Sequence, residues 1–386
     1  MIYLDNAATT LIKPSIVGKK VFEIISSAKF GNPARGSSNA SVNALDEVFK
    51  TRKLIRKLFN LADPSLTAFT NNATEALNFA IKGLLKSGDH VIATTLDHNS
   101  VLRPIYQLEK TGIEHDFVGL NKDGSLDYNQ FERLLKPNTK MVVCPHASNV
   151  TGEILDLKFI SDFCHQNQLL MVVDAAQTAG VIPIDVRRDG IDVLCFTGHK
   201  SLFGPQGTGG ICLSHQLAIE PLISGGTGID SFNHDQPAVF PEHLEAGTLN
   251  VAGIAGLGAG IEYVLAQGIE NSGTVARNLA DRFIAGIKNL PQVKIYGNLN
   301  RPKVATVSLN LGDINSAEIS DFLQTHYDIA TRAGAHCAPL LHCALKTKDQ
   351  GMVRFSFSSF NQPSDVDQAV KAIKTLSDEL EREART

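Results

Sequence analysis

The stretch Leu169-Leu-Met-Val-Val-Asp174-Ala-Ala-Gln177 decides the fold. An unbroken apolar run closed by an acid reads as a strand buried on both faces, the kind found in sheets of parallel strands. In open α/β sheets ligands collect beyond the carboxyl ends of the strands, so Asp174 stands where a ligand-facing acid belongs. Working outward, similar runs occupy Leu66–Thr70, His90–Thr95, Glu114–Gly119, Lys140–Pro145 and Val193–Thr197. Helix-length amphipathic segments intervene at Thr74–Ser87, Val101–Lys110, Tyr128–Leu135 and Leu157–Gln166. This βαβ rhythm predicts a mostly parallel sheet with helices on both faces. Gly209–Leu213 reads as one more strand after a glycine-rich turn.

The pattern changes near Val251. A helical stretch from Ile254 to Leu290, with a break expected near Gly273, leads to strands near Lys294–Tyr296, Thr306–Leu311 and Met352–Ser358. A charge-rich amphipathic helix from Ser364 to Arg382 follows, with Ser364 as the expected N-cap and Asp365 suiting the helix dipole. The expectation is an α/β large domain over 1–250 and a smaller α+β domain over 251–386, consistent with a chain of 386 residues. A formal net charge of −4 gives no footprint for nucleic acid. No apolar run reaches the length of a membrane span. The beginning of the sequence does not read as a secretion signal, and Cys144, Cys195 and Cys212 fall inside apolar strands. Six cysteines in a chain this long make no disulfide framework, and these three point to reduced core thiols and a cytoplasmic protein.

Chemistry gathers at a few points. Lys200 follows the strand Val193–Thr197 and opens a glycine-rich turn, with Thr197 and His199 beside it as phosphate ligands. Asn72-Ala-Thr-Glu75 precedes a helix, so Thr74 can offer a hydroxyl and free N–H groups to an anion. His98 sits just past a strand, placed to stack on a ring and move protons. Cys337, beside His336 and near Arg332 in a turn with Gly334 and Pro339, has the surroundings of a reactive thiolate. Arg354 lies in an alternating strand, and a guanidinium suits a carboxylate clamp. Each feature has a plain alternative: a turn aspartate, a solvated lysine, an ordinary helix cap, a packing cysteine. His336, Cys337, His342 and Cys343 lack the spacing of ordinary zinc sites, so no metal is expected. In combination, an acid, an amine and a thiol are what a pyridoxal phosphate enzyme with a sulfur nucleophile needs.

In this order the motifs resemble the class V aminotransferase family of fold type I pyridoxal phosphate enzymes, and within it the cysteine desulfurase and selenocysteine lyase group. The resemblance runs from Tyr3-Leu-Asp-Asn-Ala-Ala-Thr-Thr10 through Ser148-Asn-Val-Thr-Gly152 to Arg332–Cys337 and Arg354. It implies Lys200 as the Schiff-base lysine, Asp174 as partner of the pyridine nitrogen, Gln177 on the phenolic oxygen and His98 stacked on the ring. Ala73, Thr74, Thr197 and His199 would hold the phosphate, with Thr248 reaching it from a second subunit of a homodimer. Asn149 and Arg354, with Arg332 and His336 nearby, would bind a substrate amino acid, L-cysteine or L-selenocysteine. Cys337 would take the sulfur and pass it to an acceptor protein. The context Arg-x-Gly-x-His-Cys-Ala is similar to group II desulfurases, except that Ala335 stands where a second histidine is frequent and Thr197 replaces a serine. The competing readings are a selenium-selective lyase, a transaminase or β-lyase with Cys337 incidental, and a non-catalytic protein that delivers sulfur components by docking.

Overall fold

A computed structural model describes residues 1–34 and 36–383. The chain opens with a short strand β1 (Ile2–Tyr3) and two helices, α1 (Ser15–Ser26) and α2 (Asn39–Phe59). Strands and helices then alternate: β2 (Thr67–Thr70), α3 (Ala73–Leu84), β3 (His90–Thr94), α4 (Asn99–Glu109), β4 (Glu114–Val118), α5 (Gln130–Leu134), β5 (Thr139–Pro145) and α6 (Leu157–Gln166). Three strands close this part, β6 (Leu170–Asp174), β7 (Val193–Thr197) and β8 (Gly209–Leu213). They form a seven-stranded sheet in the order β2-β8-β7-β6-β5-β3-β4, parallel except for β8, which runs antiparallel to both neighbours. Apolar clusters cover both faces. Val142, Val173 and Leu194 belong to one, and Val143, Val172 and Cys195 belong to the other. The unbroken apolar runs read from the sequence follow from this double burial.

The remaining elements are α7 (Val251–Gln267), α8 (Ile269–Ile287), β9 (Val293–Ile295), β10 (Thr306–Leu311), α9 (Ser316–Tyr327), β11 (Ile329–Ala330), β12 (Arg332–Gly334), α10 (Pro339–Ala344), β13 (Met352–Ser356) and α11 (Pro363–Glu383). A four-stranded antiparallel sheet in the order β12-β13-β10-β9 carries a third core, in which Phe283 of α8, Phe355 of β13 and Ile373 of α11 meet. Strand β1 crosses over to pair with β11, and Leu4 is buried in this third core.

Two local expectations are corrected. The break in the long helix falls at Gly268, whose φ of 83° ends α7 and starts α8, and Gly273 lies inside α8. A Cβ at Gly273 would approach the Val181 carbonyl to 2.0 Å, so that glycine permits a close packing contact and makes no turn. Ser364 lies within α11, which starts at Pro363, a residue suited to the first helical position. The capping contact comes from Asp365, whose Oδ2 accepts from the Gln362 N–H at 3.0 Å.

Candidate active site

Every residue expected to hold the cofactor or substrate except Thr248 lines one cavity of about 280 Å³, with Cys337 among them. It opens at the carboxyl ends of β5, β6 and β7, whose last residues are Pro145, Asp174 and Thr197. Asp174 is buried, with Oδ1 accepting from the Ala176 N–H at 2.8 Å. Burial pushes its carboxyl above the usual range, against the pull of the Ala176 N–H and the Lys200 amine. Lys200 sits in the turn just after β7. Loss of hydration lowers its amine to about 8; Asp174 opposes the change, while Arg354 and Arg332 add to it.

One end of the cavity suits an anion. Asn72 caps α3, its side chain accepting from the Glu75 N–H at 3.0 Å. That leaves the first-turn N–H groups of Ala73 and Thr74 at the dipole's positive end. The Thr74 hydroxyl shares a 2.8 Å hydrogen bond with Ser100, and the Ser100 hydroxyl in turn lies 2.8 Å from His98 Nδ1. Strand β8 is pressed against this corner: a Cβ at Gly209 would come within 2.8 Å of the Asn72 backbone. Burial, then the charges of Lys200 and Arg332, lower His98 to about 4, so its ring is neutral near pH 7. His199, its Nδ1 3.0 Å from the Thr9 hydroxyl, is likewise lowered to about 4 by burial.

The cavity wall also carries the thiol. His336 and Cys337 both adopt left-handed backbone conformations, with φ of 50° and 57°. Two hydrogen bonds pin this turn. Asn149 Nδ2 donates to the His336 carbonyl at 2.7 Å, and the Asn99 N–H donates to the Cys337 carbonyl at 2.7 Å. Cys337 is half-buried, whereas Cys144, Cys164, Cys195 and Cys212 are buried in the core. The buried His336 ring contacts the Arg332 carbonyl through Nε2 at 3.0 Å, and desolvation lowers it to about 3. Gln177 Nε2 donates to the Ala7 carbonyl at 3.2 Å. Arg354, 1% exposed, donates through Nη2 to Asp5 Oδ1 at 2.7 Å and through Nη1 to the Asn149 carbonyl at 3.1 Å.

The family model described as aminotransferase class-V matches residues 2–369. The chain belongs to the class-V aminotransferase family. It is 33% identical to a probable cysteine desulfurase of Pyrococcus abyssi over 97% of this chain and 94% of that one. It is 30% identical to the cysteine desulfurase IscS of Vibrio campbellii over 98% and 93%. Among solved structures, the apo cysteine desulfurase of Thermococcus onnurineus superposes with a TM-score of 0.91 at 29% identity, covering 98% of this chain and 95% of that one. The Escherichia coli cysteine desulfurase CsdA, in an S-sulfonic acid form, gives 0.86 at 28% identity over the same shares.

For this class-V aminotransferase family member, sequence reasoning missed the site's amino-terminal wall. Ala7 and Ala8 line the cavity. The Thr10 hydroxyl donates to the His199 and Lys200 carbonyls, both at 3.1 Å, and Lys13 Nζ donates to the His199 carbonyl at 3.0 Å. The stretch Tyr3–Thr10 carried the resemblance, but nothing in its composition links it to a lysine turn so distant in sequence. Thr248 lies elsewhere, its hydroxyl accepting from Asn32 Nδ2 at 3.3 Å. Its segment is anchored through Glu245, which forms a buried two-point ion pair with Arg52 at 2.9 and 2.6 Å.

Proposed function

We propose that the protein is a pyridoxal phosphate-dependent cysteine desulfurase that moves the sulfur of L-cysteine onto Cys337 and releases L-alanine. The observation that carries this reading is one cavity shared by a half-buried amine, a buried carboxylate and a half-buried thiol on a pinned turn. The donor set suits the cofactor: Asp174 would hold a proton on the pyridine nitrogen, and His98 would lie against the ring. Gln177 would meet the phenolic oxygen. Ala73, Thr74, Thr197 and His199 would take the phosphate at the amino end of α3. Bound there, pyridoxal phosphate supplies a sink for the electron pair left on the substrate's Cα when its proton departs.

The chain's own groups do the rest. Arg354, supported by Arg332 and Asn149, would bind the substrate α-carboxylate. Lys200, held near neutrality by burial, would take the Cα proton. Cys337 Sγ, having given up its proton, would attack the substrate's γ-sulfur. A sulfur–sulfur bond forms, the Cβ–sulfur bond breaks, and its electrons stay on carbon to be protonated, giving alanine. Ala335 is exposed and outside the cavity lining, so the imidazoles that share the cavity with the thiol are His336, His98 and His199.

A homodimer supplies Thr248 to the partner site in this reading. Apolar side chains left in solvent, Phe22 and Ile25 at 71% and Phe232 at 101% exposure, support a subunit contact along α1 and the loop after β8. Two domains, 1–250 and 251–386, a cytoplasmic setting suited to free cysteines, and a protein acceptor for the sulfur complete the proposal.

The test is alanine release from L-cysteine by cofactor-loaded protein, with mass spectrometry of Cys337 before reductant is added. Alanine with one extra sulfur atom on Cys337 is the expected result. Release from L-selenocysteine alone would make the protein a selenium-selective lyase. Keto acid in place of alanine would make it a transaminase.

A further inference from the structure

Arg354 has a carboxylate partner before any substrate arrives. It is among the largest fully buried side chains, and Asp5 is the acid that neutralises it, at 2.7 Å. The pairing uses only part of the guanidinium. Asp5 reaches Nη2 through a single oxygen and the Asn149 carbonyl takes Nη1, while Nε is buried with no partner. Nε and Nη2 share one edge of a guanidinium, the edge a carboxylate grips with both oxygens. Asp5 therefore compensates the charge and leaves that fork half satisfied, with a buried donor unpaired.

Position adds to the argument. Arg332 and Arg354 face each other as register partners in the β12–β13 ladder, and both line the cavity. Like charges directly opposite on a sheet repel. Two guanidinium groups thus line this part of the cavity and Asp5, outside the lining, neutralises one of them, which leaves one positive charge for a ligand with a single carboxylate.

We propose that Asp5 is a specificity-determining residue: it competes with the substrate α-carboxylate for Arg354 and is displaced when the substrate grips the Nε–Nη2 fork. The inference rests on the reading of Arg354 as the carboxylate site. Displacement would be felt at the lysine, because Asp5 belongs to the same segment as Thr9 and Thr10, whose hydroxyls hold the His199 carbonyl at 3.2 and 3.1 Å. It also predicts a preference for amino acids with an uncharged side chain, since the second anion position is already taken.

The experiment uses holoenzyme carrying Asp5→Asn, which keeps shape and removes charge. In chloride the variant unfolds at a lower temperature than wild type, because Arg354 is buried without a counter-ion. Sodium propionate at matched ionic strength raises the variant's unfolding temperature and leaves that of wild type nearly unchanged. The KM for L-cysteine falls about tenfold and kcat moves less, as expected when a competing internal ligand is removed. Absence of a propionate response, or a KM that rises, would overturn the proposal and leave Asp5 as a fixed support for Arg354. If the variant does not fold, hydrogen–deuterium exchange on wild type decides. Saturating L-alanine should speed exchange across residues 4–10, and unchanged or slower exchange refutes displacement. A holoenzyme that makes no alanine from L-cysteine would refute the desulfurase reading, while the propionate response still reports on Asp5 and Arg354.

Discussion

Cofactor capture by cofactor-free protein should switch on as pH rises, with a midpoint near 8, where the desolvated Lys200 amine loses its proton. An ordinary lysine titrates at 10.5; here burial strips water from the ammonium and the two arginines repel it, with only Asp174 and Asp5 opposing. The difference favours the neutral amine by roughly 3 kcal/mol. At pH 7 about a tenth of the molecules then present a free base, roughly 300 times the share expected of an exposed lysine. Stopped-flow absorbance of the lysine-bound cofactor, recorded between about pH 6 and about pH 10, should rise about tenfold in rate per pH unit and then level off. Asp174→Asn removes a group that holds the Lys200 pKa up, so its midpoint should move lower still. Linkage gives a second reading. Between about 8 and 10.5 the unfolded chain holds a proton that the folded chain does not, so Lys200 contributes stability that increases with pH across that window. A capture rate still climbing at about pH 10, or a midpoint raised by Asp174→Asn, would refute the assignment of a desolvated amine.

Cys337→Ser should abolish persulfide formation from L-cysteine while keeping the cofactor's visible spectrum, read by mass spectrometry and absorbance on one sample. Asn149→Ala frees the His336 carbonyl and loosens the thiol turn. It should cost about 1 kcal/mol in denaturant unfolding and slow alanine release by up to about a hundredfold. Glu245→Gln leaves Arg52 buried beside a neutral amide. A loss of roughly 3–5 kcal/mol is expected, visible as a lower urea midpoint.

The large sheet was legible because its inner strands are covered on both faces, and such strands announce themselves as unbroken apolar runs. Helices α1 and α2 were not read. Their apolar residues face two ways, Val17 and Ile24 into the core but Phe22 and Ile25 into solvent, so no single stripe stands out. Strands β1, β11 and β12 have two or three residues each and gain meaning only from their pairing partners. In the site, Asp174, Lys200 and Cys337 were legible because each closes or follows a recognisable run with chemistry attached. Asp5 was not, because its significance depends on Arg354, 349 residues away along the chain. Gly273 misled because a glycine that permits close approach and one that breaks a helix look alike in sequence.

The crossing of the amino-terminal segment onto β11 and β13 has a consequence for biosynthesis. Asn6 Nδ2 is bonded to the Ser356 carbonyl at 2.9 Å, a contact spanning 350 residues, and Ile2 pairs with Ile329. A ribosome makes residues 2–13 long before the strands that receive them exist. While the seven-stranded sheet is being laid down, this segment must wait without its pairing partners, and the corner holding Arg354 closes only after β13 has emerged. The corner holding Arg354 therefore takes shape only near the end of synthesis, when β13 has emerged to receive the amino-terminal segment and α11 follows to close the third core.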